Sequence, residues 1–97
     1  MLSKGEIVSF LKTYKQARKK QYHIKNIGLF GSFARGEETE TSDIDIVVDF
    51  EKADLLNQIR IKQELQERFD RHVDVIALWK GMNPKLLRRI QRDVIYV

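Results

Sequence analysis

Apolar side chains recur along the chain at two spacings, and these spacings predict alternating helices and strands. Helical spacing marks a first helix that opens at Ser3-Lys4-Gly5-Glu6, a pattern typical of a capping box, and a second long helix over about 55–69. Alternating or continuous apolar runs bounded by turn residues predict strands at about 25–30, 43–50, 72–78 and 94–97.

Two shorter helices complete the prediction. One follows Gly31-Ser32, and the other begins at Asn83-Pro84, where Asn is the cap and Pro takes the first helical position. No linker, repeat or low-complexity segment separates the elements. The sequence therefore predicts one α/β (α+β) domain over residues 1–97, with a small mixed sheet and helices packed against it.

The strand over 43–50 carries acids on one face only. Its apolar residues alternate, so Asp43 and Asp45 share the opposite face, roughly 6.6 Å apart along the strand. Two carboxylates this close raise each other's pKa and oppose folding unless a cation lies between them. Mg²⁺, which takes carboxylate and phosphate oxygens, suits such a pair. A solvent-facing edge strand with hydrated charges is the alternative.

A Gly-Ser turn precedes this strand by ten residues. The apolar run over 27–30 ends at Gly31-Ser32, where a helical turn begins. Glycine allows close approach of an anion, the first amides of a helix point outward, and Ser32 adds a hydroxyl donor. The alternative is an ordinary strand-to-helix turn. Neither the P-loop pattern nor a Gly-x-Gly-x-x-Gly pattern occurs here.

A third acid, Asp74, lies in the strand over 72–78. If this strand is the neighbour of the Asp43–Asp45 strand, three carboxylates converge. Three acids around one or two metal ions suit phosphoryl or nucleotidyl transfer, because the metal neutralises phosphate charge and the third acid ligates metal or accepts a proton.

Taken together, Gly31-Ser32, ten residues, Asp43-Ile44-Asp45 and the later Val73-Asp74-Val75 resemble the polymerase-beta-type nucleotidyltransferase superfamily. More narrowly, the stretches 29–36 and 42–45 are similar to the minimal nucleotidyltransferase (MNT) proteins of prokaryotes, and the similarity extends to the closing segment 84–96. The resemblance implies the polymerase-beta-type fold.

The resemblance also implies roles for individual residues. Asp43, Asp45 and Asp74 would be the catalytic carboxylates and would bind Mg²⁺ or Mn²⁺. Gly31 and Ser32 would bind the triphosphate of ATP. Many MNT proteins are antitoxins of a HEPN-domain ribonuclease toxin, and their described mechanism is transfer of AMP from ATP to a toxin tyrosine.

We therefore expect a metal-dependent protein adenylyltransferase that silences a HEPN toxin within a hetero-oligomer. One domain of 97 residues favours a partner that brings its own acceptor. Two alternatives stay open. The protein could be a non-catalytic nucleotide-binding antitoxin that silences the toxin by occlusion, or it could nucleotidylate a small molecule.

Composition agrees with a cytoplasmic protein. There are no cysteines, no apolar run approaches the roughly 20 residues of a membrane span, and Met1-Leu2-Ser3-Lys4 does not open a signal peptide. The two histidines, His23 and His72, show no ligand spacing, and we expect each to be structural or exposed. Trp79, after the third strand, is expected to be a packing or interface residue.

The net charge of +4 conceals an asymmetry, with eight acids and one base over residues 37–54. Bases cluster in the first helix and near the end of the chain. Such clusters bind nucleic acid or acidic partners, or they are solvated helix faces. Few aromatic residues lie among them to stack on bases, which argues against direct nucleic-acid binding. Some of these bases could instead neutralise ATP phosphates, and the sequence does not distinguish them.

Overall fold

Helices and strands alternate along the chain in the order that the sequence predicts. The structure is a computed structural model that describes residues 2–97, so Met1, the first residue of the predicted domain, lies outside the described part. The elements are α1 (Lys4–Tyr22), β1 (Ile24–Phe30), α2 (Gly31–Arg35), β2 (Ile44–Phe50), α3 (Leu55–Phe69), β3 (Val73–Ala77), α4 (Pro84–Asp93) and β4 (Ile95–Tyr96). The predicted elements are confirmed, with ends shifted by one or two residues.

The four strands form one mixed sheet in the order β3-β2-β1-β4. β1 pairs antiparallel with β2 and β4, whereas β2 pairs parallel with β3. In this register Phe30 of β1 faces Asp45 of β2, and Asp45 faces Asp74 of β3. The predicted mixed sheet is confirmed, and the strands that carry the acids are neighbours.

One face of the sheet packs against α1 and α3. β2 contributes Ile44, Ile46 and Val48 to this core, and all three are fully buried. The helices contribute residues at helical spacing, which include Leu11 of α1 and Leu65 of α3. Because side chains alternate along a strand, this burial fixes the acids of β2 on the other face.

The other face is partly covered by α4. A second cluster joins Phe30, Val47, Met82 and Ile90, so α4 packs against the end of β1 and the middle of β2. Asp45 points to this face beside the cluster and is only partly buried. The domain thus has three layers, and the acids lie at the margin of the thinner outer layer.

Side-chain caps begin the three long helices. The predicted helix start is confirmed, since the Ser3 hydroxyl accepts the Glu6 N–H at 3.2 Å, although the Glu6 carboxylate accepts from the Ser3 hydroxyl and not from its backbone N–H. Asp54 caps α3 and Asn83 caps α4, with Pro84 at the first position. The local sequence therefore determines where these helices begin.

A partly buried carboxylate joins the two helices of the first core. Tyr14 and Tyr22 of α1 donate to the two oxygens of Glu64 on α3, at 2.7 and 2.9 Å. Burial, and then Glu64, raises the pKa of both phenols. These bonds hold α1 and α3 together across the sheet face.

Some apolar side chains remain exposed. Trp79 is 66% exposed and Leu55 is 70% exposed, so neither belongs to either core. An interface role for Trp79 stays a prediction. Within residues 2–97, none of the helices combines the length and apolar character needed to cross a bilayer.

An ion pair joins α2 to the end of α4. Arg35 donates to Asp93 at 2.6 Å and to Glu37 at 3.1 Å, and Asp93 also accepts from Arg92. The Asp93 side chain is only 4% exposed, whereas that of Glu37 is 68% exposed. Hydrogen bonds from Arg92 and Arg35 lower the pKa of Asp93 to about 2.

We predict that Asp93→Asn destabilises the fold by about 1 kcal/mol at pH 7. Because the pKa of this carboxyl is lowered on folding, the ion pair stabilises the protein above the usual value near 3.8, and its contribution is lost as the pH falls to about 2. Urea unfolding at several pH values should therefore show a shallower loss of stability between pH 4 and 2 in the variant. Glu37→Gln is the matched control, with a smaller effect. Identical acid profiles of wild type and Asp93→Asn would contradict the proposed role.

Candidate active site

Four polar side chains occupy the corners of a rectangle on one face of the sheet. The parallel register pairs Ile44 with Val73, so Asp43 lies opposite His72, and Asp45 lies opposite Asp74. Paired strands are separated by about 4.8 Å, and residues two apart along a strand by roughly 6.6 Å. The pattern Asp-x-Asp on one strand thus lies beside the pattern His-x-Asp on the next.

Three of the four corners approach one another closely. His72 Nδ1 lies 3.4 Å from Asp43 Oδ2, and His72 Nε2 lies 3.7 Å from Asp74 Oδ1. One ligand atom from each of the three residues lies within 4.8 Å of the others. Asp74 therefore lies near Asp43, with an imidazole between them, whereas Asp45 is not part of this three-residue group.

The fourth corner, Asp45, is the most sheltered acid of the group. Burial raises the pKa of its carboxyl, and the charges of Asp74 and Asp43 raise it further. The guanidinium groups of Arg89 and Arg35 oppose this rise. Several basic residues lie near the end of the chain, and the sequence does not show which of them lies near the acids. Arg89 is the one among them that lowers the pKa of Asp45.

Gly31 forms a corner directly against Asp45. Its φ is +77°, a conformation that favours glycine, and an added Cβ would overlap the Asp45 carboxylate. The short helix α2 begins here, with Ser32 next to the contact, and it ends at Gly36 in a left-handed cap. The predicted Gly31-Ser32 turn and the predicted acids therefore share one side of the molecule.

The donor set fits a divalent cation. Carboxylate oxygens suit Mg²⁺ and Mn²⁺, and an imidazole adds a ligand that first-row transition metals accept. Asp43, Asp45, Asp74 and His72 are the residues that would hold such an ion. Phosphates bound at Gly31-Ser32 would lie next to it, because Asp45 contacts Gly31.

His72 is the residue that the sequence reasoning missed. We expected it to be structural or exposed, and its side chain is indeed 49% exposed, but it contacts two of the predicted acids. A signal was present, since His72-Val73-Asp74 repeats the one-residue spacing of Asp43-Ile44-Asp45. The four side chains come together only because β2 and β3 pair in parallel with this register. His23, in contrast, is the left-handed cap of α1.

Comparison with known proteins gives a consistent family. The family described as polymerase beta nucleotidyltransferase matches residues 11–97. A Methanocaldococcus jannaschii protein with a provisional protein adenylyltransferase name is 39% identical over 98 residues, which cover 100% of both chains. The protein adenylyltransferase MntA of Thermococcus cleftensis is 35% identical over 98 residues, which cover 100% of this chain and 98% of that protein.

Solved structures share the fold. A toxin–antitoxin structure with AMP-PNP is similar at 26% identity and a TM-score of 0.71, over 89% of this chain and 69% of that one. A provisionally described minimal nucleotidyltransferase is similar at 30% identity and a TM-score of 0.69, over 91% and 93%. An AMPylated HEPN toxin in complex with an MNT antitoxin, from Shewanella oneidensis, matches at 24% identity and a TM-score of 0.63, over 89% and 66%. This last likeness concerns the fold alone.

We predict that Gly31→Ala disturbs the acids while Gly36→Ala does not. Both residues have positive φ, so each alanine costs about 1–2 kcal/mol of backbone strain. Only the methyl group on Gly31 meets a neighbour, because the space around Gly36 is open. Gly31→Ala should lose at least as much stability in urea as Gly36→Ala, because its methyl group also displaces the Asp45 carboxylate. Gly31→Ala alone should bind Mn²⁺ at least tenfold more weakly by titration calorimetry, and equal losses of affinity in both would contradict the corner contact.

We also predict that Asp45→Asn stabilises the metal-free protein by about 0.2–1 kcal/mol, the usual range for a cross-strand pair. Burial, and then the charges of Asp74 and Asp43, raise the pKa of this carboxyl, so its charged form is disfavoured in the fold at neutral pH, and the amide removes that charge. Urea unfolding in EDTA measures the change.

Asp49→Asn is the matched control for this change. Asp49 lies on the same strand and pairs with Asn26, not with an acid. A loss of stability in Asp45→Asn, relative to Asp49→Asn, would contradict the electrostatic explanation.

Proposed function

This chain belongs to the polymerase beta nucleotidyltransferase family, and we propose that it is a metal-dependent protein adenylyltransferase that acts as the antitoxin of a HEPN-type ribonuclease toxin. The contact of Gly31 with Asp45, which in turn pairs with Asp74, is the observation that carries the proposal. This contact brings the Gly31-Ser32 turn, which would bind an anion, next to the acids that would bind the metal. Full-length relatives with protein adenylyltransferase names support the activity, and the toxin–antitoxin neighbour supports the partner.

ATP would bind with its phosphates at Gly31-Ser32, where backbone N–H groups and the Ser32 hydroxyl donate to phosphate oxygens. Asp43, Asp45 and Asp74 would hold Mg²⁺ or Mn²⁺. When bound, the metal neutralises phosphate charge and polarises the α-phosphate. The guanidinium of Arg89 adds positive charge on the same side, since it acts on Asp45.

The acceptor would be a tyrosine hydroxyl of the toxin. Its oxygen attacks the α-phosphorus, a new P–O bond forms, and the bond to pyrophosphate breaks. Asp74, on the outer strand β3, would accept the hydroxyl proton. The products are an AMP-tyrosine ester and pyrophosphate. Alignment of the two reactants and electrostatic stabilisation account for the acceleration.

The order of the strands suggests the side from which the acceptor enters. Attacking and leaving oxygens lie roughly in line in such transfers. With the phosphates held at Gly31, the leaving pyrophosphate would lie toward β1, and the hydroxyl would approach across β3, the sheet edge. A cleft of about 180 Å³ opens there beside Asp74, with Leu55 and Ile59 of α3 in its wall.

We predict that Asp45→Asn abolishes transfer of AMP while the fold is retained. Removing one of the acids that hold the metal leaves the phosphates without their charge partner. The measurement is the intact mass of the toxin after incubation with the antitoxin, ATP and Mg²⁺. Wild type should add one or more AMP units and Asp45→Asn none, whereas Asp49→Asn should match wild type.

The same experiment tests the occlusion alternative. If the toxin is silenced by wild type without any mass increase, the protein acts by covering the toxin and the proposed transfer is wrong. If Asp45→Asn still adds AMP, the metal role of these acids is wrong. Circular dichroism of each variant excludes unfolding as the cause.

A further inference from the structure

His72, the residue directly before β3, places its imidazole beside the acids. His72 lies directly before β3 and opposite Asp43, which lies directly before β2. The Ile44 N–H donates to the His72 carbonyl at 3.1 Å, so the two entry residues are held side by side by the backbone. Their relative position therefore follows from sheet register and not from a flexible loop.

The spacing of the side chains suits coordination. Ligands on opposite sides of an octahedral ion with bonds of about 2.1 Å are separated by about 4.2 Å, and adjacent ligands by about 3 Å. His72 Nδ1 lies 3.4 Å from Asp43 Oδ2, and the other ring nitrogen, Nε2, lies 3.7 Å from Asp74 Oδ1. One ligand atom from each of the three residues lies within 4.8 Å of the other two. One ring nitrogen, and not both, would bind the ion together with one oxygen of each acid.

We propose that His72 is a metal ligand of this centre and that it makes the centre prefer Mn²⁺ to Mg²⁺. The inference rests on the proposed function, because it assigns a fourth side chain to the metal site of that reaction. Mg²⁺ takes oxygen ligands and keeps several waters, whereas imidazole is a ligand of first-row transition metals. An Asp43–His72–Asp74 set therefore gains affinity for Mn²⁺ from the nitrogen and little for Mg²⁺.

A different role for His72 makes the opposite prediction. If the imidazole only separates two carboxylates as a hydrogen-bond partner, a metal ion must displace it. Removing His72 would then leave metal affinity unchanged or increase it. The sign of the change therefore distinguishes a ligand from a spacer.

The test is Mn²⁺ binding, measured by the loss of the free-ion EPR signal, with and without AMP-PNP. His72→Ala should bind Mn²⁺ at least tenfold more weakly, while Mg²⁺ affinity, measured by competition, should change by less than threefold. Pulsed EPR of Mn²⁺ bound to ¹⁵N-labelled wild type should show a ¹⁵N coupling that His72→Ala lacks. The label distinguishes the protein from adenine.

His23→Asn is the matched control. His23 caps α1 in a left-handed conformation that Asn adopts readily, and it should leave Mn²⁺ binding and the coupling unchanged. Unchanged or tighter Mn²⁺ binding in His72→Ala, or a wild type without ¹⁵N coupling, would overturn the inference.

Asp43→Asn separates this failure from failure of the proposed function. If Asp43→Asn weakens Mn²⁺ binding and His72→Ala does not, the acids hold the metal and only the role of His72 is wrong. If neither change affects Mn²⁺, or if wild type binds none, the metal role of the proposed function is wrong as well, and the inference with it.

Discussion

The parallel pairing of β2 with β3 is the constraint on which the site depends. It places Asp43 opposite His72 and Asp45 opposite Asp74, and it does so through backbone hydrogen bonds that do not depend on the charges themselves. A slip of one residue would move every acid of one strand to the opposite face, where the apolar core lies. The register is therefore fixed by burial, and the polar rectangle is a consequence.

Burial of apolar side chains on both faces of the sheet stabilises this arrangement despite the repulsion between the acids. Ile44, Ile46 and Val48 are fully buried under α1 and α3, and each such side chain contributes about 1.5–3 kcal/mol. Against this, a like-charged cross-strand pair costs less than about 1 kcal/mol. Burial of the apolar side chains of β2 therefore outweighs the repulsion between Asp45 and Asp74.

The helices and strands could be predicted from the sequence, because the patterns that indicate them involve neighbouring residues. The helix starts at Ser3 and at Asn83-Pro84 rely on neighbouring residues, and alternation along β2 already showed which face carries the acids. Two contacts between distant residues could not be predicted from the sequence. The partnership of His72 with Asp43 depends on strand register, and the bond between Arg35 and Asp93 joins residues far apart in the chain. Neither follows from spacing along one element.

β3 is an edge strand of the sheet, and its outer backbone groups are partly paired with side chains. An exposed edge strand invites pairing with other strands. Here two glutamines of α3 occupy its outward groups, since Gln58 donates to the Val75 carbonyl at 2.9 Å and Gln66 accepts the Val73 N–H at 3.2 Å. The backbone edge is thereby blocked while the carboxylate of Asp74 stays reachable. For the proposed transfer this matters, because a fifth strand at this edge would close the side opposite Gly31 from which the hydroxyl must come.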